Sequence, residues 1–304
     1  MTWTGARALT GQENAPSGAA TDGTRVVFTT DRFEGADNAV RAVSLDGPPV
    51  SQLLVKRPAG RNVNARVALD GDVAYVASGR GIVQVPLDGG PATVVVDNRP
   101  AGIDEVVVAG DQLWWTTEQY RPGPDWIEVA RAPKAGGPVE VVTNKVGVRL
   151  NDLHPEGDSA LVVAEKGVLR VRAGSPAEIV VSNESVGGGQ IAGLAMDSQR
   201  YYLLMNAAKH GVLAVPRAGG PPVVLADEAD NTKKLVVVGD QVVFFASGGS
   251  FKSPRTLLQA VPAAGGPVRT IASGGLSQYD LAALGNDRVV FSGDDQVWVA
   301  SVRS

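Results

Sequence analysis

Five ionisable residues share one position in a recurring pattern of this chain. Arg66, Glu105, Asp152, Lys234 and Asp280 each stand five residues before a turn anchor, and Gly18 and Gly193 take that position in two further copies. The next residue is always apolar: Ala19, Val67, Val106, Leu153, Leu194, Leu235 or Leu281. Alternation of this kind is that of a strand with one buried face. Charges on an inner strand need partners, so the first set predicts a ring of opposed charges around a wet central channel. His154 lies two residues beyond Asp152, and Asp104, Asn151, Lys233 and Tyr279 lie one step nearer the mouth.

Three chemistries suit this set. Glu105, Asp152 and Asp280 would ligate a hard cation such as Ca²⁺, which prefers carboxylate oxygens. Asp152, His154 and Asp280 would serve as acid and base in a lyase or hydrolase, with Arg66 and Lys234 holding an anion. Alternatively the ring serves only to close the molecule. Other chemistries are excluded. The chain has no cysteine, so disulfides, thiolate nucleophiles and cysteine-ligated zinc are out. Its two histidines, His154 and His210, lie in different repeats and make no histidine-rich metal site. The Gly-x-Ser-x-Gly elbow, the phosphate loop and His-Glu-x-x-His do not occur.

The elements that must position the ring come from the repeat. Turn residues followed by a short apolar run recur at Asp22-Gly23, Asp70-Gly71, Ala109-Gly110, Glu156-Gly157, Asp197-Ser198, Val238-Gly239 and Leu284-Gly285. The spacing is about 44 residues, the length of a four-stranded propeller blade. A Gly/Pro turn follows in phase in six copies, at 46–48, 88–91, 136–138, 173–176, 219–221 and 265–267. Each unit therefore reads as strand a, tight turn, strand b, loop, strand c, Gly/Pro turn, strand d. The expected fold is all-β: one seven-bladed β-propeller with four antiparallel strands per blade. The expected blades are 12–56, 62–97, 101–144, 148–183, 189–227, 231–273, and 276–304 together with 4–11. The last copy lacks a strand d. Arg7-Ala8-Leu9-Thr10-Gly11 resembles the sixth copy's strand d at 269–274, so residues 4–11 are expected to pair with 297–302 and close the ring.

Such a ring carries its a–b and c–d turns on one face and its b–c and d–a connections on the other. The b–c segments 31–38, 118–126, 206–210 and 248–255 are long and unlike one another. Variable connections on a rigid frame often carry binding function, and Phe33, Tyr120, Trp126 and Phe251 are the aromatic candidates on them.

The Leu-Trp-Trp-Thr-Thr core at 113–117 and Val-Pro-Leu-Asp-Gly-Gly-Pro at 85–91 resemble a family of bacterial secreted or lipoprotein propellers, many of them myxobacterial. That family is similar in turn to the YWTD, NHL and TolB-type propellers. The resemblance covers nearly the whole chain and implies the fold. It also implies an exported protein, whose leader would lie outside this sequence because Met1–Gly5 has no basic or apolar stretch. It assigns no activity. The net charge of −4 argues against nucleic acid as partner. No apolar run reaches the ~20 residues of a membrane helix. The reading that follows is a monomeric, non-catalytic binding or scaffold propeller. It would recognise a protein or a glycan through the b–c/d–a face and the central funnel.

Overall fold

A computed structural model shows seven four-stranded antiparallel sheets arranged in a ring. It describes residues 3–13, 16–30, 39–56, 66–79, 81–97, 102–119, 126–144, 151–206, 211–229, 234–250, 253–275 and 278–303. Blade 1 holds β2–β5, from Pro16–Thr21 through Arg25–Thr30 and Ala39–Ser44 to Gln52–Lys56. Blade 2 holds β6–β9 (Val67–Asp70, Val73–Ser78, Gly81–Pro86, Thr93–Val96). Blade 3 holds β10–β13 (Gly102–Ala109, Gln112–Gln119, Trp126–Pro133, Glu140–Asn144), and blade 4 holds β14–β17 (Asn151–Glu156, Ser159–Ala164, Gly167–Arg172, Glu178–Ser182). Blade 5 holds β18–β21 (Gln190–Met196, Arg200–Asn206, Val212–Pro216, Val223–Ala226), and blade 6 holds β22–β25 (Leu235–Val238, Gln241–Ser250, Ser253–Pro262, Arg269–Gly274). Blade 7 takes β26–β28 (Gln278–Leu284, Arg288–Gly293, Gln296–Ser301) and, as its outer strand, β1 (Ala6–Ala8).

The N-terminus closes the ring as the repeat demanded. Ala6, Arg7 and Ala8 pair with Ala300, Val299 and Trp298. Leu9 N–H donates to the Val297 carbonyl at 2.8 Å, and Val297 N–H donates to Thr10 Oγ1 at 3.0 Å. The segment also reaches the neighbouring blade, where Thr4 bridges Ser273 of β25. Trp3 is buried there against Phe291 and Phe245, its ring centroid 4.7 and 6.4 Å from theirs.

Both faces of every blade are covered, which is why the middle strands read as continuous apolar runs. Seven hydrophobic clusters each join two adjacent blades. In β11, Trp114 packs towards blade 4 and Trp115 towards blade 2, because successive side chains of a strand point to opposite faces. In β23, Phe244 and Phe245 divide in the same way between blades 5 and 7. The apolar residues one step past the ring position, from Ala19 to Leu281, are all buried. Cations stitch the seams on the face of the tight turns: Arg7 donates to the Leu45 carbonyl at 2.7 Å, Arg25 pairs with Asp72 at 2.9 Å, and Arg217 pairs with Glu156.

The fifth anchor lacks the glycine of the others and uses a side chain instead. Asp197 Oδ1 accepts the N–H groups of Gln199 and Arg200 at 2.7 and 2.8 Å, an Asx turn that needs no positive φ. Its other oxygen accepts the Tyr202 hydroxyl at 2.6 Å.

The outermost strands share one device. In blades 1 to 6 the pairing of strand c with strand d slips by one residue at the same place, leaving Leu54, Val95, Val142, Val180, Leu225 or Ile271 as the bulged residue. A bulge twists an exposed edge and spoils it as a template for another strand.

Candidate functional site

The ring position lies on the innermost strands, which follow one another around the axis from β2 to β26 and back to β2. Five of these strands carry a register shift there, at Ser17/Ala20, Ile103/Glu105, Asn151/Leu153, Ile191/Gly193 and Gln278/Leu281. The bulge turns polar side chains inwards without disturbing the apolar face one step on. At Asp152 it demands a φ of 77°, a left-handed conformation that Asp tolerates better than most non-glycine residues.

Four of the five expected charges meet. Arg66 Nη1 lies 3.4 Å from Glu105 Oε1. Lys234 Nζ lies 3.8 Å from the same oxygen and 3.8 Å from Asp280 Oδ1. Lys234 belongs to blade 6 and Glu105 to blade 3, three steps away in a ring of seven, so this network bridges the axis. Glu105 and Asp280 are 8% and 7% exposed, yet their cations stand at ion-pair rather than close hydrogen-bond distance.

Asp152 has a different task. Leu194 N–H, on the next blade, donates to its Oδ2 at 2.8 Å. His154 Nε2 lies 2.9 Å from the Leu194 carbonyl oxygen, which makes the ring nitrogen the donor. The two side chains of blade 4 thus hold both main-chain groups of one residue in blade 5. Asp280 accepts from the N–H of its own strand neighbour Leu281 at 2.9 Å, and Ala19 N–H across the seam to blade 1 favours its charged form.

Burial pushes the Glu105 carboxyl up to about 8, against the pull of Arg66 and with the help of Asp152, Asp104 and Asp280. Burial also raises Asp280, against Arg66 and the two N–H donors. Asp104, the bulged residue of β10, is raised by burial against Arg66. Burial opposes the charge of Arg66, but Glu105, Asp280, Asp152 and Asp104 outweigh it and hold the guanidinium above its ordinary pKa.

No group of three or more His, Asp or Glu side chains able to hold a metal ion lies among the described residues. Of the expected cation ligands, Glu105 and Asp280 both approach Lys234 Nζ, and Asp152 accepts from Leu194 N–H. Asp152 and His154 face Leu194 rather than each other.

The rim is uneven. Strands β3, β7, β15 and β27 have six residues, whereas β11 and β12 have eight and β23 and β24 have ten. All start beside their a–b turns, so the extra length projects from the b–c face. At ~3.3 Å per residue β23 and β24 are about 13 Å longer than a six-residue strand, and β11 and β12 about 7 Å longer. These two hairpins belong to blades 3 and 6, three steps apart in the ring. This corrects the reading of 118–119, 126, 248–250 and 253–255 as loop, while 120–125 and 251–252 lie outside the described residues. Gln119 pairs with Trp126, and Gly248, Gly249 and Ser250 pair with Arg255, Pro254 and Ser253. Phe33, Tyr120, Phe251, His210 and Lys233, and the side chains of Trp126, Asn151 and Tyr279, lie outside the described residues.

Sequence reasoning missed the coupling between Asp152 and Gly193. A Cβ at Gly193 would sit 3.3 Å from Asp152 Oδ2, so the glycine leaves room for the neighbouring carboxylate. The signal was present: both glycines of the ring position, Gly18 and Gly193, follow a blade that carries Asp there.

No family model matches the chain, and no curated protein matches it. Solved propellers do. YCF48 bound to D1 peptide is 12% identical with a TM-score of 0.67, covering 99% of this chain and 97% of that one. An oligogalacturonate lyase in complex with manganese is 12% identical with a TM-score of 0.71, covering 97% and 92%. A puromycin-hydrolyzing peptidase of Mycobacterium tuberculosis is 16% identical with a TM-score of 0.60, covering 93% of this chain and 49% of its own. At such identities the likeness concerns the fold, and the chain is a seven-bladed β-propeller of a shape used by binding proteins and enzymes alike. No helix among the described residues is long and apolar enough to cross a membrane.

Proposed function

We propose that this propeller is a binding platform whose b–c/d–a face, between the two long hairpins, receives a protein or glycan partner. The observation that carries this reading is where the acid and base candidates are engaged. Asp152 and His154 hold the backbone of Leu194, and Asp280 accepts from Leu281 N–H. Groups so engaged brace the backbone, whereas a general acid or base must reach a substrate proton. What remains for recognition is the uneven rim and the charged ring. The peptide seen on YCF48 supports a polypeptide as partner.

The test uses two probes, a glycan array and a displayed library of linear peptides. The expected result is that the wild type binds one of them and that a quadruple variant, Phe33→Ala, Tyr120→Ala, Trp126→Ala and Phe251→Ala, loses the binding with its melting curve unchanged. The reading fails if neither probe binds, or if the quadruple variant binds as the wild type does.

A further inference from the structure

The two cations of the ring have donors to spare. A Lys ammonium carries three N–H groups and an Arg guanidinium five. Lys234 Nζ approaches Glu105 Oε1 and Asp280 Oδ1 only at 3.8 Å, beyond hydrogen-bond length. The hydrogen bond of the Arg66 guanidinium, from Nη1 to Glu105 Oε1, is 3.4 Å long. Among the described residues neither side chain meets another acceptor. Part-buried donors of this kind call for a partner.

The network also turns its cations outward. The Lys234 and Arg66 side chains are 26% and 24% exposed, and those of Glu105 and Asp280 are 10% and 7%. A solute that reaches the ring therefore meets the donors before the acids. The acids are committed elsewhere: Asp280 accepts from Leu281 N–H, and Asp152 accepts from Leu194 N–H. Burial raises Glu105 to about 8, so near neutral pH its carboxyl is mostly protonated. In that state it is a further donor and no rival to an arriving anion.

The spacing suits one small group. Arg66 Nη1 and Lys234 Nζ approach the same Glu105 oxygen, so they lie at most about 7 Å apart. A carboxylate or phosphate that takes a charge-assisted hydrogen bond of about 2.8 Å on each side spans such a gap. The guanidinium adds a planar fork that matches either group.

We infer that Arg66 and Lys234 clamp an oxyanion, a carboxylate or a phosphate group, at the axis of the ring, with the Glu105 carboxyl donating to the same group. This goes beyond the platform reading, because the clamp is made by the ring alone. It holds a free anion as readily as one carried by a partner.

The experiment titrates the intact protein with inorganic phosphate and, separately, with acetate, in a calorimeter. One equivalent of at least one anion should bind. Phosphate without acetate identifies a phosphate site, and the reverse identifies a carboxylate site. Arg66→Gln and Lys234→Gln should each weaken binding at least about tenfold, with melting curves read alongside to confirm folding. Glu105→Gln supplies a second test that does not remove a cation. It stays neutral, whereas the wild-type Glu105 ionises as pH rises, among the charges of Arg66, Lys234, Asp104, Asp152 and Asp280. The two proteins should bind alike at pH 6, and at pH 9 the wild type should bind roughly tenfold more weakly. Absence of binding by both anions would overturn the clamp. So would equal binding by the wild type and folded Lys234→Gln, or by the wild type and Glu105→Gln at pH 9. None of these outcomes touches the platform, which the peptide library and the glycan array decide separately.

Discussion

The carboxylate of Asp152 accepts the N–H of Leu194 at 2.8 Å across the seam between blades 4 and 5, in space left by Gly193. An inner strand has no neighbour on its channel side, so its main-chain groups there need other partners. Removing Asp152 strands a buried N–H, which costs about 1–3 kcal/mol. Asp152→Ala also places alanine at a positive φ, adding strain that Asp152→Asn largely avoids. Gly193→Ala should destabilise the wild type, because its methyl group crowds Asp152, Leu204 and Leu235. It should destabilise Asp152→Ala less. Urea denaturation of the two single variants and the double variant measures the coupling, and strictly additive effects would show that the two positions do not cooperate.

Ring closure depends on one aromatic side chain as well as on three paired residues. Trp3 sits in the seam of blades 6 and 7 with its ring against Phe291, Phe245 and the backbone of Gly274. Trp3→Ala should cost about 3–5 kcal/mol, and Gly274→Ala should be harmful for the complementary reason, since its methyl group would enter the Trp3 ring. Deleting the first 12 residues removes the outer strand of blade 7 altogether. Thermal melts followed by circular dichroism should place the deletion lowest, with aggregation on heating. A deletion variant that melts with the wild type would refute closure through β1.

The pH dependence of stability should run against the usual direction near neutrality. Burial raises Glu105 to about 8, and Asp280 and Asp104 are raised as well. The native state therefore keeps protons that the unfolded state has released. This contribution is fully present below the unfolded carboxylate pKa and is lost as pH rises through the folded value. Between about pH 5 and about pH 8 the melting temperature should fall. Glu105→Gln, which stays neutral, should show a flatter profile across that window. A wild-type profile that rises there would contradict the raised carboxylates.

The repeat, the closure and the ring position were legible in the sequence because each is marked by residue type at fixed spacing. Glycine and Asp mark turns, and a polar residue followed by a buried apolar one marks an inner strand. What Asp152 and Asp280 do was not legible, because it depends on the next blade. A column of single positions hides that Asp in one blade is matched with Gly in the following one. The length of the β23–β24 hairpin was hidden for another reason. Ser-Gly-Gly-Ser at 247–250 has low strand propensity, so it reads as a loop, and only its pairing with 253–256 makes it a strand.

Blade 5 differs from its neighbours at the rim, and the difference predicts self-association. Where strand c meets strand d, blades 3 and 4 place the ion pairs Arg131–Glu140 and Arg170–Glu178 at 2.7 and 3.1 Å. Blade 6 places Arg269 beside Ala260. The matching pair in blade 5 is Ala214 with Val223, followed by Val224. Val223 and Val224 are 50% and 43% exposed, and the residues from Ala218 to Pro222 that precede them are exposed and uncharged. Charged residues on an edge strand oppose pairing with another chain, and here only the bulge at Leu225 does so. Val223→Glu should therefore reduce association at high concentration without lowering the melting temperature, since the side chain buries little in the folded molecule. Light scattering across a concentration series reads this directly. Ile179→Glu in blade 4, where Glu178 already guards the edge, should have little effect. Equal gains from both variants would mean that added charge in general, rather than this edge, limits solubility.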